Sequence, residues 1–362
     1  MTDMAMPPDP GAASVWVLLG ARHGDNQQLL AIADALGVPY RTVPLRFNAA
    51  AGVPPILLGA SRLSWGSKDA AALQPPWPRA VLAAGRKSVP AARWIRRQSG
   101  GRTRLVHVNR PWAPLAWFDL VVTTPQYAVP VRANVLSHRM PFMPPPVLVD
   151  VPLPKALESQ AARMPRPWTL VMVGGDSRPF VLDDAAAVDL AHLVNAQVRA
   201  NGGSAWVLGS PRTPAAAMEA LARSLDVPAQ VVRWGEGENP YAALRQRADR
   251  LVVTTDSASM LAEALLTGRP VVPFALPRQP DWRWRMATAW RDAATRRPGS
   301  IVARSFDALQ DLGLLSSLRD LGLLHRALEV AGAFDGSGRV LDIARQERAA
   351  TLSRIHALID PA

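Results

Sequence analysis

The feature that most constrains the fold is an alternation of short apolar runs with amphipathic stretches, repeated along the chain in two series. The first series opens with Ser14 to Leu19, ends that run at Gly20, and continues from Asp25 into an amphipathic stretch, Gln28 to Leu36, closed by Gly37. Short apolar runs between turn signals suit strands, and a 3.6-residue period suits helices. Further strands are predicted near Tyr40 to Leu45, Arg79 to Ala84, Arg104 to Val108 and Asp119 to Thr124, with a helix over Pro90 to Arg97. Strands that alternate with helices pair in parallel, because each helix carries the chain back to the same end of the sheet.

Prolines 141, 144, 145, 146, 152, 154, 165 and 167 then crowd one stretch, removing backbone donors and stiffening it, and an interdomain linker is expected over residues 151–167. The second series has strands over Trp168 to Val173, Ala205 to Leu208, Gln230 to Arg233, Leu251 to Thr254 and Pro270 to Phe274. Helices are predicted over Asp183 to Ala200, Pro214 to Leu225, Tyr241 to Arg247 and Ser259 to Leu266. Apolar residues recur at helical spacing from Arg339 to Ile359, so an amphipathic helix closes the chain. The expected class is α/β: two doubly wound Rossmann-like domains facing a cleft, residues 1–150 and 168–335, with a C-terminal helix in 336–362. A length of 362 residues suits two such domains.

Composition narrows the function. With no cysteine, disulfides, thiolate metal sites and cysteine nucleophiles are excluded, and the six histidines are scattered without ligand spacing. Met1 to Gly11 is proline-rich and acidic and lacks a positively charged start, so a cytoplasmic protein is expected. The formal charge of +12 attracts phosphates or anionic lipid headgroups. Between Asp69 and Asp119 there is no acidic residue but there are Arg79, Arg86, Lys87, Arg93, Arg96, Arg97, Arg102, Arg104 and Arg110. That stretch is either a binding face or a solvated surface in an arginine-rich chain. No nucleic-acid reading motif accompanies it, so no specific nucleic-acid partner is expected.

In parallel sheets, ligands bind beyond the carboxyl ends of the strands, where the N–H groups of helix starts favour anions. Asp256-Ser257-Ala258-Ser259-Met260 follows a predicted strand and opens a helix, so its serines either cap that helix or bind phosphate. Glu263, about one turn further on, is placed to accept from the two hydroxyls of a ribose. Gly174 and Gly175, followed by Asp176 and Ser177, allow close approach of a ligand to the backbone. Ser210 and Arg212 hold phosphate or only form a turn, and Trp234 stacks on a base or fills a core. In the first half, Gly24, Asn26 and Gln27 belong to a polar loop and helix start that contribute to an acceptor site. Asp25 is the candidate general base with His23 as the alternative, though Asp25 also suits an N-cap. Arg86, Lys87 and Ser88 bind an anionic acceptor or begin a helix.

Several absences discriminate. No G-x-G-x-x-G follows a predicted strand and no G-x-x-x-x-G-K-[ST] occurs, which removes dehydrogenases and P-loop nucleotidases. No tyrosine has a lysine four residues later, as short-chain dehydrogenase-type epimerases require, and no Asp-x-Asp offers a metal clamp.

Taken together, Gly24-Asp25-Asn26-Gln27-Gln28, Gly85-Arg86-Lys87-Ser88, Phe118-Asp119-Leu120-Val121-Val122, Gly174-Gly175, Asn239-Pro240-Tyr241 and Val252 to Met260 with Glu263-Ala264 resemble the mitochondrial-fission "elongated mitochondria" family. The resemblance spans most of the chain and implies a glycosyltransferase-B-like (GT-B-like) fold. It makes the C-terminal domain the donor-nucleotide domain, with Glu263 on ribose and the Ser257 to Met260 turn on diphosphate. Members commonly carry an aspartate-proline-arginine segment after the third N-terminal strand, where this chain has Asn109-Arg110-Pro111-Trp112. Two functions are expected to compete. One is a metal-independent glycosyltransferase that uses a nucleoside-diphosphate sugar as substrate, needs no cofactor, and acts on an envelope lipid or saccharide. The other is a non-catalytic adaptor for a protein partner or an anionic membrane, using Trp282, Trp284 and Trp290 with Arg283, Arg285 and Arg291.

Overall fold

The structure, a computed structural model, describes residues 14–67, 73–144, 150–297, 299–313 and 319–360. The chain divides into two compact units, each built from separated segments. Unit 1 comprises residues 1–144, 287–320 and 345–362, and unit 2 comprises 145–286 and 321–344.

In chain order unit 1 contains β1 (Val15–Leu19), α1 (His23–Leu36), β2 (Tyr40–Phe47), α2 (Pro55–Leu58), β3 (Trp65–Ser67), β4 (Ala80–Ala84), α3 (Val89–Gln98), β5 (Arg104–Val108), β6 (Leu120–Thr123) and β7 (Val135–Ser137). Its sheet runs β3-β2-β1-β4-β5-β6-β7, parallel except where β3 pairs antiparallel with β2. Alternation along β1 shows why the apolar run is continuous. Trp16 and Leu18 pack with Ala91, Ala92 and Ile95 of α3 on one face. Val15 and Val17 join Leu29, Ile32 and Leu36 of α1 on the other. A strand covered by helices on both faces has no polar side to present.

Unit 2 contains α4 (Lys155–Arg163), β8 (Trp168–Met172), α5 (Asp184–Asn201), β9 (Ser204–Leu208), α6 (Ala215–Ser224), β10 (Ala229–Val232), α7 (Tyr241–Arg247), β11 (Arg250–Thr254), α8 (Ala258–Leu265) and β12 (Val271–Phe274). The sheet order is β10-β9-β8-β11-β12, parallel throughout. Helices α9 (Trp282–Arg296), α10 (Ile301–Asp311), α11 (Leu321–Val330) and α12 (Arg339–Ile359) follow. Ile355 and Ile359 of α12 are buried with α1 in unit 1. No helix among the described residues is long and apolar enough to cross a membrane. The N-terminal residues on which the cytoplasmic expectation rests lie outside the described residues.

The α/β class, the two doubly wound sheets and the C-terminal helix are therefore as expected. The domain limits differ: residues 287–320 and the end of α12 belong with unit 1, and α4 lies within the expected linker. Periodicity identifies a helix but not the sheet that covers its apolar face, which is why the return of the chain to unit 1 was not readable.

The acid-free stretch also divides. Asp119 accepts from the Arg96 guanidinium at 3.1 Å, the Arg104 guanidinium at 3.2 Å and the Leu105 N–H at 2.7 Å. Arg79 pairs with Asp360, and the Arg93 guanidinium lies 3.4 Å above the Trp117 ring. Each of these four cations has a partner within the protein, so the stretch is not one free face. Asp119→Ala strands two guanidinium groups and a backbone N–H, and is expected to lower unfolding free energy by about 1–3 kcal/mol in urea titration.

Candidate functional site

In unit 2 the chain leaves β8 outward through β9 and β10, then returns to place β11 on the other side of β8. The loops after β8 and β11 diverge there, which is where a doubly wound sheet opens a crevice. Asp256 stands at this point with no solvent exposure (0%). Its Oδ1 accepts from the Thr254 hydroxyl at 2.7 Å, and its Oδ2 from the Gly175 N–H at 3.2 Å and the Arg212 guanidinium at 2.8 Å. The Gly174 N–H donates to Thr254 Oγ1 at 2.8 Å, and the Thr213 hydroxyl lies against the carbonyls of Val173 and Gly174. A Cβ on Gly174 would stand 2.0 Å from the Asp256 carboxylate, and one on Gly175 would stand 1.9 Å from the Arg212 carbonyl oxygen. The glycines are thus required by the carboxylate and a neighbouring loop, whatever ligand approaches them.

Ser257 caps α8 by accepting from the Met260 N–H at 3.4 Å, while Ser259 lies half-buried in the first turn. Glu263 accepts from the Tyr241 hydroxyl and, at 2.6 Å, from the Arg245 guanidinium. Both bonds fall on Oε2, so Oε1 has no partner among the described residues. Burial and the adjoining Glu263 keep the Tyr241 phenol protonated well above its ordinary range. Ser177 is half-buried in the loop after β8, Ser210 hydrogen-bonds within its own turn to Thr213, and Arg212 keeps 40% of its side chain exposed. Trp234 is not a core residue: it is 54% exposed after β10, and its backbone nitrogen lies near Gly209.

Unit 1 reverses strand order between β1 and β4, and a cavity of about 450 Å³ opens at the carboxyl ends there. Its lining includes Arg22, Asp25, Asn26, Arg86, Lys87, Asn109, Arg110, Trp112 and Tyr127. Asp25 sits in the first turn of α1 and accepts from Asn109 Nδ2 at 2.9 Å. Burial raises its pKa above the usual carboxylate value, against the lowering effects of Arg22, Arg319 and the Asn109 hydrogen bond. His23 is exposed. Asn26 exchanges two 2.9 Å bonds with Gly20, so its amide holds the loop after β1 rather than facing a ligand. The Ser88 hydroxyl is likewise turned to the carbonyls of Ala84 and Gly85. Gly24 and Gln27 are half-buried on the same turn, outside the residues that line the cavity. Asn109 (φ 68°) and Trp112 (φ 52°) hold the left-handed region, an unusual backbone for such residues that concentrates at functional loops. Among the described residues no group of three or more His, Asp or Glu side chains is placed to hold a metal ion.

The profile of the family described as mitochondrial fission ELM1 matches residues 23–296, three quarters of the sequence. The chain belongs to the mitochondrial fission ELM1 family. It is 27% identical over 259 residues to the mitochondrial fission protein ELM1 of Arabidopsis thaliana, covering 65% of this chain and 58% of the plant protein. The uncharacterized protein RP120 of Rickettsia prowazekii is 22% identical over 300 residues, covering 73% of this chain and 84% of that protein. Among solved structures, the OtsA apo structure aligns over 97% of this chain and 100% of its own, with 11% identity and a TM-score of 0.48.

In this ELM1-family chain Arg22, Trp112 and Tyr127 at the cavity of unit 1 had no site role from sequence, and Arg110 had one only as part of the wider basic stretch. The available signal was position: each follows or flanks a strand end, as ligand residues of parallel sheets do. Asp25 also gives a pH prediction. Because its folded pKa is raised, the folded state binds the proton more tightly, and stability falls as pH climbs through the range between the unfolded and folded values. Asp25→Asn keeps an acceptor for Asn109 and removes that cost. Its melting temperature relative to the parent is expected to rise as pH is increased from acid toward neutrality, as read by thermal denaturation across pH.

Proposed function

We propose that this ELM1-family chain is a metal-independent GT-B-type glycosyltransferase that takes a sugar from a nucleoside-diphosphate donor and passes it to a hydroxyl acceptor, a saccharide or an envelope lipid. The observation that carries this reading is the knot around Asp256. A buried carboxylate fixes the Arg212 guanidinium at the switch point of the second sheet while leaving part of it exposed. A cation already oriented where a leaving diphosphate develops charge stabilises it without reorganisation at the moment of reaction.

In this proposal Arg212, Ser210 and the Ser257 to Met260 turn hold the diphosphate, with Gly174, Gly175 and Ser177 forming the adjoining wall. The remaining oxygen of Glu263 accepts from the ribose, and the exposed indole of Trp234 stacks on the base. The acceptor oxygen bonds to the anomeric carbon as that carbon's bond to the phosphate oxygen breaks. The bonding pair leaves with the nucleoside diphosphate, and the acceptor proton passes to Asp25, with His23 as the alternative base. A carboxylate whose pKa is raised by burial is a better base than an exposed one. The proposed location is the cytoplasm.

A second reading, an adaptor at an anionic membrane face, is favoured by Trp282 and Met286, each 64% exposed, beside the exposed Arg283 and Arg285. Arg291 does not belong to such a surface, because it is buried and bonded to Asp292 and Asp320.

Calorimetric titration with UDP, GDP, ADP, TDP and CMP separates the two. One nucleotide is expected to bind saturably, with Glu263→Ala weakening it about tenfold or more through loss of a charged hydrogen bond. Trp234→Ala is expected to cost about 1–3 kcal/mol of the same binding. Absence of saturable nucleotide binding, together with sedimentation on anionic vesicles that is lost in Trp282→Ala, would replace the transferase with the adaptor.

A further inference from the structure

The cavity of unit 1 carries more cation than its own chemistry needs. Four cationic residues line it, Arg22, Arg86, Lys87 and Arg110, against a single acid, Asp25. Elsewhere in the same basic stretch Arg79 pairs with Asp360, and Arg96 and Arg104 pair with Asp119. Arg22, Arg86 and Lys87 form no ion pair among the described residues. Gathering like charges in a concave, partly apolar space costs free energy and focuses a positive potential into it.

The placement of the cations adds to that cost. Arg86 and Lys87 occupy the turn that leads into α3, where no acidic residue offsets the positive end of the helix. The guanidinium groups of Arg86 and Arg110 are held over the Trp112 ring, 5.5 Å and 6.0 Å from its centroid, and Trp112 reaches that position only through a left-handed backbone. Burial lowers the Arg110 pKa to about 10, a further sign that the surroundings oppose its charge. The charges of Arg86 and Lys87, gathered at a helix start without an ion pair among the described residues, are explained by a ligand that brings the missing negative charge.

Asp25 sets the second half of the ligand's chemistry. Its carboxylate, oriented by Asn109, would repel an anion placed directly on it, so the ligand's charge belongs on the Arg86–Lys87 side and an uncharged donor faces Asp25. Trp112, Phe47 and Tyr127 supply aromatic surface for an apolar ring face. We propose that this cavity binds a phosphorylated saccharide as acceptor, its phosphate on Arg86 and Lys87 with Arg22 and Arg110 contributing field, and a sugar hydroxyl on Asp25. The assignment rests on the glycosyltransferase reading for the word acceptor, whereas the binding chemistry rests on the cavity alone.

Binding is tested without any nucleotide, by calorimetry at about 0.15 M salt, where exposed charges are screened beyond roughly 8 Å. The probes are glucose 6-phosphate, glucose and inorganic phosphate, with vesicles of phosphatidylcholine alone or with phosphatidylinositol phosphate as the lipid arm. Glucose 6-phosphate, or the phosphoinositide vesicle if the source is a headgroup, is expected to bind saturably and at least tenfold more tightly than glucose and inorganic phosphate. The double variant Arg86→Ala/Lys87→Ala, checked for an unchanged thermal melt, should lose at least tenfold. Equal affinity for glucose, no saturable binding of any phosphosugar probe, or indifference to the double variant would overturn the proposal. Because Glu263→Ala lies outside this cavity, phosphosugar binding that survives in it while nucleotides fail to bind the parent would sink the transferase and leave this site standing. Nucleotide binding without phosphosugar binding would do the reverse.

Discussion

The arrangement of the second unit's site depends on one buried carboxylate. Removing a charge from water is costly, and the cost is met at Asp256 by a guanidinium and a backbone N–H from two different loops and a hydroxyl from the end of a strand. Each partner fixes a different segment: the turn after β8, the turn after β9 and the end of β11. The glycine pair follows from the same requirement, because any side chain at Gly174 would occupy the space of the carboxylate. What the sequence suggests as room for a ligand to approach the backbone is a tightly packed junction.

The first unit solves the corresponding position differently. An amide from Asn109, after β5, reaches Asp25, after β1, and the carboxylate keeps a raised pKa. A carboxylate in contact with a guanidinium makes a rigid support, whereas at Asp25 burial outweighs the through-space effect of Arg22 and Arg319, and the carboxylate retains the ability to take a proton. The two units share a sheet topology at their switch points and differ in chemistry there.

Legibility followed the physical cause of each feature. Strands buried on both faces, such as Val15–Leu19 and Leu120–Thr123, announce themselves as continuous apolar runs. Helices with long apolar stripes, such as α5 and α12, were equally plain. The three-residue β3, Trp65-Gly66-Ser67, has too little length for any period to register. Among the site residues, backbone position was readable and side-chain allegiance was not. Asn26 and Arg212 both follow strands, yet one turns back on Gly20 and the other reaches across to Asp256. Trp234 illustrates the same limit, since hydrophobicity favours a core and only the fold shows that its loop leaves the indole in solvent.

The segmented build of the two units bears on how the chain comes to be folded during synthesis. Ile355 and Ile359 close the apolar face of α1, although α1 itself emerges more than three hundred residues earlier. Until those last turns leave the ribosome, Leu29, Ile32 and the sheet face beneath them lack their final cover. The layer that α1 forms on the N-terminal sheet is therefore among the last parts to be finished, and its apolar residues stay partly uncovered until α12 has been made.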